Sequence, residues 1–169
     1  EVSLEGDEQV ELPGSYVFDL ARPSGGEGHL LADIPEVETG MYSVVRYRFE
    51  RPAEVVGGNA TDVQIEHLAA KGTALHVVGQ ATRGDERVGF DWDIPISFGH
   101  HCKIDQRVRG NSGGRTEMTI HADHLLLDDL GPDGRISFDL IAASDVDGDG
   151  LVVPAELAQT SILPLARYQ

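Results

Sequence analysis

Apolar and polar residues alternate along much of this chain up to about residue 121. The longest such run is Val88-Gly-Phe90-Asp-Trp92-Asp-Ile94-Pro-Ile96-Ser-Phe98, with a large apolar side chain at every second position. In an extended backbone alternate side chains share a face, so the run predicts one strand with one apolar face. Pro95 falls on the polar face and marks an edge position or a bulge. Ser43-Val-Val45-Arg-Tyr47-Arg-Phe49 alternates in the same way, and Thr73 to Thr82 is rich in β-formers. Arg83-Gly-Asp-Glu reads as the turn that joins that segment to Val88. Two early strands, broken at Pro13-Gly14, are expected between Val10 and Leu20, and a shorter one from Glu117 to His121. Strands at this spacing, with Gly and Pro between them, predict a mostly-β fold. An antiparallel β-sandwich is the first expectation and a barrel the alternative.

Helical signals interrupt this pattern in two places. Thr61-Asp-Val-Gln64 has the form of a capping box, and Gln64 to Lys71 then reads as a short helix stopped by Gly72, with a loop as the alternative. After His121 the alternation ends. Asp123 to Leu130 and Phe138 to Ser144 read as short helices, and Pro154 opens a third that runs to Gln159, at a first-turn position where its missing N–H costs little. The expected organisation is a β domain over residues 1–121 and a C-terminal helical segment over 122–169, packed on it.

That segment contains the clearest chemistry of the chain. Asp145-Val-Asp147-Gly-Asp149-Gly150-Leu151-Val152-Val153-Pro154-Ala155-Glu156 places Asp at positions 1, 3 and 5, Gly at 6, a β-branched residue at 8 and Glu at 12. Calcium is a hard cation that takes six to eight oxygens, and three closely spaced carboxylates supply them from one side. Gly150 permits the sharp turn that brings the chain back round the ion. Leu151 would offer its backbone carbonyl, Val153 a bound water, and Glu156 both carboxylate oxygens. A bland alternative is an acidic, glycine-rich surface turn. Asp129 to Leu140 looks like a degenerate second loop, with Gly131 and Leu140 where ligands belong. It reads as a tight turn, from which Asp129 or Asp133 would at most lend an outer carboxylate.

Composition narrows the partners. The 169 residues suffice for one domain with a core and a small appendage, and 40% hydrophobic with 25% charged residues is ordinary for a globular chain. A formal net charge of -16 disfavours nucleic acid, whose phosphates need clusters of Lys and Arg, and suits divalent cations. No apolar stretch is long enough for a transmembrane helix. No signal-peptide pattern is present, as would also be so in an already processed chain. Cys102 is the single cysteine, so no disulfide forms within the chain.

His100, His101 and Cys102, with His121 and His124, form a second candidate metal site. Imidazole and thiolate suit zinc or copper. On a strand, however, His100 and His101 point to opposite faces, so a bend is needed for both to ligate. The competing reading has His100 or Cys102 packed inward. Asp91 and Asp93 share a strand face, which allows a carboxylate pair for acid–base work in an uncharacterised hydrolase, but such pairs also arise by default on an exposed sheet. No Gly-x-Ser-x-Gly elbow, His-Glu-x-x-His or phosphate-cradling glycine loop is present, so no enzyme is expected.

Over its twelve residues the Asp145–Glu156 loop resembles the EF-hand family. The resemblance carries calcium ligation to Asp145, Asp147, Asp149, Leu151 and Glu156, with Val153 acting through water. More broadly, the chain resembles bacterial exported proteins and lipoproteins of unknown function that place a β-sandwich before a calcium loop. The residues that carry this are Gly40-Met-Tyr42-Ser-Val-Val, Val77-Val-Gly79-Gln-Ala81 and His121-Ala-Asp-His124-Leu. The resemblance implies export to the periplasm, cell surface or medium, and no reaction. The expected function is a secreted or surface calcium-binding protein whose ion stabilises a β domain used for binding or adhesion. Two alternatives stand beside it: a periplasmic copper- or zinc-binding protein, and a structural subunit whose exposed β edges pair between copies or with a protein partner.

Overall fold

The computed structural model describes residues 2–34, 36–110, 114–117 and 138–157. Contacts divide the chain into two compact units, and the division crosses the sequence more than once. One unit is Glu1–Ala74 with Pro95–Met118, and the other is Leu75–Ile94 with Thr119–Gln169. The fold is mostly β, most strand pairs are antiparallel, and no sheet among the described residues closes into a barrel. The C-terminal segment carries short helices, as expected.

In the first unit, β1 (Val2–Gly6), β2 (Gln9–Leu12), β4 (Gly40–Phe49) and β8 (Phe98–Val108) form an antiparallel sheet in the order β2-β1-β4-β8. The register puts Val45 opposite Leu4 and Cys102, and Tyr47 opposite Val2 and His100. One face of this sheet is therefore apolar and aromatic, while Glu11, Ser3, Arg46 and His101 cross the other. β3 (Ser15–Val17) and β5 (Val55–Gly58) add a short parallel pair. The early strands break at Pro13-Gly14, where Gly14 has φ +72°.

Helix α1 (Asp62–Lys71) is built as its sequence predicts. The Thr61 hydroxyl accepts the Gln64 N–H at 3.3 Å, and the Gln64 side chain accepts the Thr61 N–H at 2.8 Å. Gly72, with φ +69°, ends the helix in the left-handed conformation.

The second unit is a hairpin of β6 (Leu75–Arg83) and β7 (Glu86–Ile94), extended by β9 (Leu151–Val152), which runs parallel to β7. Helix α2 (Phe138–Ser144) lies against β6, β7 and β9, and α3 (Pro154–Leu157) lies against β7. Val88, Phe90, Trp92, Ile94, Ile141 and Val152 are buried here. The Phe90 and Trp92 rings stack with centroids 4.6 Å apart.

The single strand expected from Val88 to Phe98 is corrected. β7 ends at Ile94, and Phe98 opens β8 in the sheet of the first unit. Pro95 is the physical reason, since it has no N–H for a ladder and restricts the residue before it. The periodicity stays in phase across the break, so it hides the change of sheet. The candidate elements at Glu117–His121 and Asp123–Leu130, and most of the degenerate loop at Asp129–Leu140, lie outside the described residues.

Candidate metal centre

The Asp145–Glu156 loop starts where α2 stops. The Asp145 N–H still donates to the Ala142 carbonyl at 3.3 Å, so the first loop residue is held by the last helical turn. The loop then folds on its own carboxylates. Asp145 accepts the N–H of Gly148 through Oδ1 and of Gly150 through Oδ2, both at 2.9 Å. Asp147 accepts from Asp149 N–H at 3.1 Å, and Asp149 from Leu151 N–H at 2.7 Å. Gly148 and Gly150 have φ of +75° and +87°, and the positive φ at position 6 is what that site in the pattern asks for.

The result is that Asp145, Asp147 and Asp149 each bring a carboxylate oxygen within 4.8 Å of the others. Asp145 is half-buried, while Asp147 and Asp149 are exposed. Such an arrangement offers oxygen donors at the separation a hard cation needs.

Glu156 does something else. Its side chain is buried, and both oxygens take backbone hydrogens: Oε1 from Val146 at 2.9 Å and Asp147 at 3.3 Å, Oε2 from Val153 at 3.0 Å. The Val153 N–H is the main cause that lowers the Glu156 pKa, helped by Val146 and Asp147 and opposed by burial. Glu156 thereby clasps the start of the loop to its end. Position 12 of the pattern predicted a carboxylate that gives both oxygens to the ion; here both oxygens take backbone N–H groups instead, and Glu156 is not grouped with the three Asp carboxylates.

The middle of the loop is part of a sheet. Leu151 and Val152 form β9, and the Gly89 N–H donates to the Gly150 carbonyl at 2.8 Å. Leu151, at position 7, is thus held by strand pairing, and Val153, at position 9, is half-buried just before α3. Sequence reasoning missed Gly89 and Phe90 as the loop's support. The only hint was the β-branched residue at position 8, which gives no partner.

The second candidate site is less assembled. His100, His101 and Cys102 lie on β8 and are all exposed, so none of them packs inward. The His100 and His101 rings are 5.9 Å apart, and His100 faces Tyr47 across the sheet with ring centroids at 5.8 Å. The Tyr47 pKa is raised, first by burial and then by the neighbouring Cys102. Among the described residues, none of the three belongs to a group of three ligands within reach of one ion. His121 and His124 lie outside the described residues. Of the Asp91–Asp93 pair, Asp91 is held by His76 Nε2 at 2.8 Å.

No protein-family model, curated protein or solved structure matches this chain, so the meaning of the loop rests on its own residues.

Proposed function

We propose that this chain is a calcium-binding protein in which the ion has a structural role at the Asp145–Glu156 loop. The observation that carries the reading is the coincidence of a twelve-residue calcium pattern with three of its carboxylates held within 4.8 Å by the loop's own backbone. Asp145, Asp147 and Asp149 supply side-chain oxygens and Leu151 its carbonyl, with Val153 acting through water; Glu156 closes the shell only on giving up backbone N–H partners to the ion. A net charge of -16 favours cation uptake at this loop. On this reading the chain works at the cell surface, in the periplasm or outside the cell, where millimolar calcium keeps weak sites filled. The β units would then serve binding or adhesion.

Titration calorimetry on metal-stripped protein tests this. We expect one calcium per chain, little or no heat with magnesium at matched ionic strength, and loss of the heat in Asp145→Ala. Equal responses to both cations, or a response that survives Asp145→Ala, would show surface condensation on an acidic protein and end the proposal.

A further inference from the structure

We infer that the Asp145–Glu156 loop and the β6–β7 hairpin form one conformational unit, so that the order of the loop sets the order of β7 around Trp92. The loop is fastened to the hairpin at two separate points. In its middle, β9 is made of the loop's own residues and pairs in register with β7, Leu151 with Gly89 and Val152 with Phe90. Val152 is 0% exposed, and Phe90 beside it stacks on Trp92. At its entry, Arg83 near the hairpin turn bonds Asp139 and lies over the Phe138 ring at 4.4 Å, both on the helix that leads into the loop.

The chemistry of β9 says which fastening dominates. A two-residue parallel strand makes few hydrogen bonds, so most of its hold on β7 comes from the burial of Val152. A Cβ at Gly89 would meet Leu151 Cδ1 at 3.1 Å, a tight contact with the end of a side chain, and the Gly150 carbonyl oxygen at an ordinary 3.5 Å. Glu156 then ties the loop's first residues to Val153, next to β9. A displacement of Asp145 to Asp149 is therefore passed to Val152 through the backbone and on to Phe90 by packing. The mechanical coupling stands on these contacts alone. Only its control by calcium rests on the function proposed above.

Amide hydrogen exchange read on peptides covering residues 86–94, together with emission from Trp92, tests the inference in two arms. Without calcium, Val152→Ala should speed exchange in β7 about tenfold or more and shift the Trp92 emission. With calcium, exchange in β7 should slow in the wild type and stay unchanged in Asp145→Ala. Should Val152→Ala unfold the unit, Arg83→Gln cuts the exposed fastening instead, with a smaller change in the same direction. Unaltered β7 exchange in these variants overturns the coupling, as does calcium that binds by calorimetry and leaves β7 unaffected. No calcium heat with the Val152→Ala effect intact refutes the calcium reading alone and upholds the coupling.

Discussion

Gly79 and Trp92 show how much single residues decide in the hairpin unit. Gly79 lies opposite Phe90, and a Cβ on it would come within 2.5 Å of the Phe90 ring. The glycine thus makes room for the ring that stacks on Trp92. Gly79→Val should cost about 1–3 kcal/mol by overpacking, seen as a lower denaturation midpoint at unchanged slope. Trp92 is 1% exposed, and among the described residues its buried Nε1 has no hydrogen-bond partner. A buried donor left unpaired carries a desolvation cost that a benzene ring does not. Trp92→Phe should therefore cost clearly less than Trp92→Ala, for which about 3–5 kcal/mol is expected. Equal losses in the two variants would mean that the indole N–H contributes favourably. The Gly79 requirement could not be read from its neighbours in sequence, because the clash comes from a residue on the next strand.

Among the elements, α1 illustrates local determination and the Val88–Phe98 run illustrates its limit. Thr61, Gln64 and Gly72 announced both ends of α1, and the structure uses each of them as announced. Thr61→Ala should cost about 1 kcal/mol, measurable by thermal or chemical denaturation. Gln64 also donates to Asp19 Oδ2 at 2.9 Å, and Ala21 N–H donates to Oδ1 at 3.0 Å. The Gln64 bond is the main cause that lowers the Asp19 pKa, with the Ala21 and Arg22 backbones and the Arg22 charge assisting against desolvation. The sign follows directly. A carboxyl more acidic in the folded state stabilises the fold above its unfolded value, about 3.9, and that stabilisation is lost as pH falls through the folded value. Asp19→Asn should flatten the dependence of stability on pH below about pH 4 and leave that above pH 5 unaltered. Comparison of denaturation midpoints across that range checks it. The Asp19–Gln64 contact was not visible in the sequence, since Gln64 lies far along the chain. The break at Pro95 was visible as a proline, but not as a change of sheet.

For the whole molecule, the hairpin and the C-terminal segment belong to one compact unit although residues 95–118 lie between them in sequence. Among the described residues, no helix is long and apolar enough to cross a membrane. If calcium binds only the folded state, it adds about 2.7 kcal/mol at a hundred-fold excess over its dissociation constant. That corresponds to a rise of about 5–10 °C in Tm. Chelation should reverse it and expose the segment from Phe138 to Leu157 to proteolysis. A melting curve unchanged by chelator, with metal loss confirmed, would refute a structural ion.

Local chemistry alone determined the β character of the chain, the caps of α1, the helices on either side of the loop and the calcium pattern itself. Those features depend on backbone preference and on spacing within a few residues, and the chain carries that information in its order. Tertiary structure decided the rest. Pairing partners such as Gly89 for Gly150 are set by burial of side chains remote in sequence, which no local pattern encodes. The same holds for Glu156, whose position in the loop foretold a carboxylate, while only the folded chain brings three backbone N–H groups to it.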